Sequence, residues 1–308
     1  VRLYYFLQLN GFRTLRDINA ANTRYIQVTN NVVKQIKAKD VRRFVREWSE
    51  ERCLNENVRN LIVNSMKFSE TSLENLKEVE LDFSNFTHNT QLFFFPNNNV
   101  EVTPKEIIVH QRGDTAFNHY VWEENVLKHN FKPLPDMFKL TCLDKENNLY
   151  DIDVLDCKSS PIFGYVINTS RLHWRKEMEE RFEDNPEEAK AYAEKHRFCI
   201  NGEGLTEDEI REQKQNLANK IFAIGYMLHR FKSPSRAWAP QAMDNKIGEN
   251  GECNGRSGKS FLFKTLSLFM KSVKLSGRNP KLMDNPHVFD QVNVHTDFVL
   301  VDDCAQYL

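Results

Sequence analysis

Residues 248–273 of this 308-residue chain read GENGECNGRSGKSFLFKTLSLFMKSV: glycines and small polar residues crowd in front of Lys259 and Ser260, and an apolar helical pattern follows at once. A phosphate chain needs several consecutive backbone N–H groups within hydrogen-bond distance. Side chains obstruct that approach, whereas glycine permits both the close contact and a positive φ. The N-terminus of the following helix offers partial positive charge to the same anion. In such a loop Asn254, Gly255, Arg256, Ser257, Gly258, Lys259 and Ser260 would surround the phosphates of a nucleotide. The Lys259 ammonium would reach the β- and γ-phosphates, and the Ser260 hydroxyl would ligate Mg²⁺. The competing reading is a glycine-rich turn that caps an ordinary helix.

A second stretch bears on the choice. Residues 297–303, DFVLVDD, form an apolar strand that ends in two aspartates. A phosphoryl-transfer site needs an acid that supports Mg²⁺ and a group that orients or deprotonates the attacking water. Asp302 fits the first role and Asp303, with Lys259, the catalytic one. The interval from Lys259 to Asp302 leaves room for one helix, a connection and a strand. The usual P-loop spacing, Gly-x-x-x-x-Gly-Lys-Ser/Thr, asks for glycine at position 253, where this sequence has Cys253; Gly251 and Gly255 lie close by.

The NGRSGKS loop, the paired Asp302 and Asp303, and the short interval between them resemble superfamily 3 helicases, particularly phage and plasmid primase-helicases related to the poxvirus type. Residues 216–249 resemble the segment that precedes the ATPase in such phage proteins, and residues 3–109 are similar, loosely, to their linker between primase and helicase. The resemblance implies an ATP- and Mg²⁺-dependent motor in DNA replication that moves on single-stranded DNA as a homo-oligomeric ring, a hexamer in that family. It also implies an asparagine sensor, pore loops and an arginine finger beyond Leu308. Two readings from other classes remain open: a P-loop ATPase that packages DNA or remodels protein, and a non-catalytic replication scaffold with a degenerate loop.

These motifs must be positioned by the rest of the chain. Runs at residues 4–9, 24–29, 79–83, 91–95 and 106–109 are β-branched or aromatic and bounded by Asn- and Pro-rich turns such as residues 96–99, so they read as strands. Helical periodicity begins behind Asp40 and again behind Asn55, each a candidate N-cap. FKLTCLD and NLYDIDVLD, joined by the polar turn at residues 145–148, predict a hairpin that closes this first module. After Pro161 the texture turns helical, through TSRLHWRKEMEERF and PEEAKAYAEKHR, and Thr206 with Glu209 forms a capping box that opens a long amphipathic helix. The expected architecture is an α+β N-terminal module (1–158), a helical connector (159–235) and the N-terminal half of a truncated P-loop NTPase α/β domain (236–308). Val1 in place of Met, and a strand-like run shortly before Leu308, are expected of a fragment.

A net charge of −1 gives no general attraction to nucleic acid, so any such surface must be local. Lys39, Arg42, Arg43 and Arg46 share a helical face near Phe44 and Trp48, and Arg171 and Arg175 flank Trp174. Basic residues beside aromatics can contact phosphates and stack bases. A solvated charged face with aromatics buried beneath is the favoured reading, because Glu47, Glu50 and Glu51 dilute the first patch. Phe93, Phe94 and Phe95 read as core strand rather than a stacking platform. The nine histidines show no metal-ligand spacing, and the six cysteines form no Cys-x-x-Cys pair, which suits reduced thiols in a cytoplasmic setting better than disulfides or zinc. No apolar run approaches the length of a membrane span.

Overall fold

Residues 4–9, expected as a strand, are the body of helix α1 (Arg2–Leu9). Leu3, Phe6 and Leu7 recur at helical spacing and pack into one core, with Leu7 fully buried. A short apolar run does not distinguish strand from helix by itself. Gly11 ends the helix at φ +82°, where a Cβ would stand 2.1 Å from the Val28 carbonyl oxygen, so no larger residue fits this turn.

The computed structural model describes residues 2–16, 24–182, 184–242, 259–278, 285–293 and 296–302. It is a mixed α+β chain of several small sheets and helices, divided by its contacts into residues 1–131 and 132–308. In the first unit, β1 (Phe12–Leu15), β2 (Arg24–Thr29) and β3 (Val32–Gln35) form an antiparallel meander. β4 (Glu78–Val79) and β8 (Val121–Trp122) add to it in parallel at opposite edges, giving the order β4-β1-β2-β3-β8. Only Glu78 and Val79 of the expected strand at residues 79–83 and its flank are paired. A second antiparallel sheet comprises β5 (Gln91–Phe94), β6 (Asn98–Val102) and β7 (Ile107–Gln111). Asn98 and Asn99, expected in a turn, belong to β6.

Helix α2 (Ala38–Glu51) buries Val41, Val45 and Ser49, one turn apart, against this unit. Its N-cap is Lys37 rather than Asp40; Asp40 is the third helical residue, and its carboxylate accepts from the Lys37 N–H at 2.9 Å. Phe44 and Trp48 pack on Phe12 and Phe6, with ring centroids 5.0 and 4.8 Å apart. Arg43 faces Asp40 and Glu47, and Arg46 faces Glu50, so the basic face of α2 is solvated and internally paired. Asn55 caps α3 (Glu56–Val63) as expected, its side chain accepting from Asn57 N–H at 2.9 Å. A one-turn helix, α4 (Glu70–Leu73), buries Leu73 in the same core.

In the second unit, β9 (Phe138–Asp144) and β10 (Leu149–Val154) form the expected hairpin. The Asp144 carboxylate accepts from the N–H groups of Glu146 and Asn147 across the turn. The hairpin was expected to close the N-terminal module, yet it packs on helices of the second unit. Ile152 joins Phe163, Val166 and Ile167 of α5 (Pro161–Asn168) and Leu217 of α7 (Glu207–Leu228) in one core. Its polar edge is fastened to α7 as well: Gln215 Oε1 accepts from Tyr150 N–H at 2.7 Å, and Lys214 pairs with Asp151 at 2.8 Å. Helical periodicity at residues 169–182 yields only a six-residue π-helical turn, Arg175–Glu180, followed by α6 (Pro186–Lys195). Thr206 and Glu209 form the capping box read from the sequence. Among the described residues no helix is long and apolar enough to cross a membrane.

Candidate functional site

The second unit ends with α8 (Lys259–Leu266), β11 (Ser272–Ser276) and β12 (Phe298–Asp302). β11 and β12 run parallel in continuous register from Ser272 opposite Phe298 to Ser276 opposite Asp302. Parallel neighbours require a crossover, and their carboxyl ends are where α/β sheets place ligands. Leu262 of α8 packs on the core built by α5 and α7, and Phe261 meets Tyr165 edge-on at 5.0 Å. These contacts set the helix so that its first turn faces the end of β12.

There the Ser260 hydroxyl donates to Asp302 Oδ1 at 2.8 Å. Lys274, on β11, places its ammonium 2.6 Å from Asp302 Oδ2. The Lys274 hydrogen bond first, and the Ser260 hydrogen bond second, hold the Asp302 carboxyl below the usual carboxylate range, so it remains ionised at neutral pH. The Gly277 N–H donates to the Asp302 carbonyl at 2.7 Å and fastens the strand end.

The start of β12 is held by a residue that the sequence did not single out. Arg230, just beyond α7, approaches Asp297 with its Nε 2.9 Å from Oδ1, and the Lys271 N–H donates to Oδ2 at 2.7 Å. This clasp ties the acidic strand to the long helix. Neither Arg230 nor Lys274 carries a local signal of its role, because each meets its carboxylate only through the fold.

Of the predicted site residues, Ser260 and Asp302 are brought into direct contact. Lys259 is the first residue of α8, and its side chain lies outside the described residues. Asn254, Gly255, Arg256, Ser257, Gly258 and Asp303, together with Cys253, also lie outside them. Residues 236–242 contribute no strand ahead of the loop. Of the candidate basic-aromatic pair, Arg171 is buried and Trp174 half-buried. Arg171, 3% exposed in its side chain, is paired with the fully buried Glu177 carboxylate while its guanidinium lies 4.2 Å over the Trp174 ring.

Two oxygen donors meet where α8 faces β12. A hydroxyl and a carboxylate are hard oxygen donors, and two such protein oxygens completed by phosphate and water are what Mg²⁺ accepts. Among the described residues no cluster of three or more His, Cys, Asp or Glu could form an all-protein metal cage. The comparisons with known proteins are silent: no family model, no curated protein and no solved structure matches the chain.

Proposed function

We propose that residues 254–260, with Asp302 and Asp303, form the phosphate-binding and Mg²⁺-binding part of an ATP-driven DNA helicase or primase-helicase of the phage and plasmid replication type. One observation carries this reading: the hydroxyl that follows Lys259 at the helix N-terminus is hydrogen-bonded at 2.8 Å to the acid at the end of a parallel strand. In a P-loop site a hydroxyl and an acid so placed would both serve to hold Mg²⁺. When bound, Mg²⁺ would neutralise charge on the β- and γ-phosphates. The protein groups then have separate tasks. Ser260 and Asp302 present oxygens, the backbone N–H groups of the loop and of α8 hold the phosphates, Lys259 supplies a cation to them, and Asp303 orients or deprotonates water. Single-stranded DNA is the proposed track and a homo-oligomeric ring the proposed assembly.

The test is calorimetric titration of ATP with Mg²⁺ into the chain and into Lys259→Ala and Ser260→Ala. Each variant should bind at least about tenfold more weakly at an unchanged thermal midpoint, as expected for loss of a charge-assisted contact worth about 1.5–3 kcal/mol. Unchanged affinity in both variants overturns the assignment. A second reading, a nucleotide site without turnover, is favoured by Lys274, whose ammonium already holds one oxygen of Asp302.

A further inference from the structure

We propose that the aromatic cluster of exposed Phe222 and Trp238 with half-buried Tyr226, together with Lys232 and Arg236, is a stacking platform for single-stranded DNA. Phe222 and Tyr226 stand one turn apart on α7, and the chain folds back so that Trp238 lies 5.7 Å from the first ring and 5.5 Å from the second. Large apolar groups are normally exposed singly, whereas here Phe222 is 57% and Trp238 58% exposed side by side.

The cluster is built rather than incidental. The Tyr226 hydroxyl accepts from the Trp238 N–H at 2.8 Å, which fixes the indole beside the helix. A turn closed by the Arg236 N–H donating to the Ser233 carbonyl at 3.0 Å returns the chain to α7. Lys232 sits 4.4 Å over the Tyr226 ring, and its ammonium donates to the Tyr226 carbonyl at 2.9 Å, so a cation is held beside the rings. Two flat side chains remain open to solvent with positive charge at their margin. Bases have a π face whatever their sequence, and a strand that stacks them brings its phosphates alongside.

Charge selects this occupant over an apolar protein partner. Residues 213–243 contain Lys214, Lys220, Arg230, Lys232 and Arg236 and no Asp or Glu, in a chain whose net charge is −1. Lys214 and Arg230 are neutralised by Asp151 and Asp297. Among the described residues, Lys232 and Arg236 meet no carboxylate, and Lys220 is occupied by the Thr169 carbonyl. A carboxylate-free stretch next to exposed aromatics matches an anionic strand with flat bases. The platform uses none of the residues of the Ser260–Asp302 site, so the two proposals can fail separately.

The experiment measures fluorescence anisotropy of a labelled oligothymidine of about ten nucleotides, a length within the usual footprint of one binding module, without added nucleotide. Trp238→Ala and Phe222→Ser should each weaken binding about five- to hundredfold, the loss expected for one stacked base, and Trp238→Phe should restore most of it. Arg236→Gln should lower the slope of log affinity against log salt by about 0.7, the contribution of one single-strand phosphate contact. Thermal midpoints should hardly change, because these side chains are exposed. Unchanged oligonucleotide affinity in Trp238→Ala overturns the proposal. So does equal competition by duplex DNA of the same length, or a loss of ATP affinity at constant oligonucleotide affinity, which would assign the rings to the base of a free nucleotide.

Discussion

Ser260 opens a helix and Asp302 closes a strand, and the hydroxyl of the first donates to the carboxylate of the second across 2.8 Å. The contact places the helix N-terminus and the acidic strand end at one point. It also orders the effects expected of substitutions there.

Asp302→Asn keeps an oxygen that can accept from Ser260 but removes the charge that would support Mg²⁺. It should weaken Mg²⁺-dependent ATP binding. Asp303→Asn should instead slow turnover and leave binding nearly unchanged. Isothermal titration paired with phosphate-release kinetics separates the two; equal losses of affinity would show that the division of roles is wrong.

Lys274 competes for the same carboxylate, at 2.6 Å from Oδ2. Lys274→Met should let the Asp302 carboxyl rise toward its ordinary range and should free one oxygen. The Mg²⁺ concentration that half-saturates ATP binding is then expected to fall about 1.5- to 5-fold, since a partly exposed pair is worth about 0.2–1 kcal/mol. A higher Mg²⁺ requirement in this variant would mean that Lys274 assists the site.

The buried pair of Arg171 and Glu177 is a stability element. Glu177 also accepts from the Tyr192 hydroxyl at 2.9 Å, and a Cβ on Gly202 would stand 2.5 Å from its Cδ, so the carboxylate is enclosed on all these sides. Arg171→Met should cost about 3–5 kcal/mol, because it leaves a buried charge uncompensated. The double change Arg171→Met with Glu177→Leu should recover part of that loss in a denaturant titration. Failure of the double variant to recover any stability would argue against the uncompensated charge as the cause.

Acid should loosen the capping box of α7. The Glu209 carboxyl is lowered from 4.5 to about 2, first by the Lys176 hydrogen bond and next by the Thr206 N–H. A depressed carboxylate stabilises the fold fully above its ordinary value and loses that contribution as pH falls from 4.5 through about 2. Stability curves of the native chain and Glu209→Gln should therefore converge across that window, whereas Thr206→Ala should cost about 0.5–2 kcal/mol at neutral pH. Parallel curves between the two pH limits would remove Glu209 from this role.

Much of the chain could be read from its local chemistry. Thr206 and Glu209, Asn55, and the hairpin turn at Asp144 were legible because each hydrogen bond joins groups only two or three residues apart. The sequence also offers Ser260 and Asp302, each as a candidate Mg²⁺ ligand, since a helix N-terminus and an acidic strand end each have a recognisable pattern; that the two side chains touch is decided by the fold. Residues 4–9 read as a strand because a short apolar run satisfies either period, and packing of Leu7 into the core decides for the helix. The hairpin's own pattern is complete without naming a neighbour, so the sequence does not say which module it closes; the faces of α5 and α7 that receive Ile152 supply that neighbour.

Charged side chains show the division most sharply. A guanidinium flanking Trp174 reads the same whether it faces water or Glu177, and only the path of the chain from Arg171 through the π-helical turn turns it inward. Arg230 and Lys274 likewise acquire their roles by crossing distances in sequence that no local pattern records. The sequence by itself determined which residues could cap, turn and alternate. Tertiary structure decided which charges meet, because Coulomb attraction and desolvation depend on separation in space and on burial, and neither is set by neighbours along the chain.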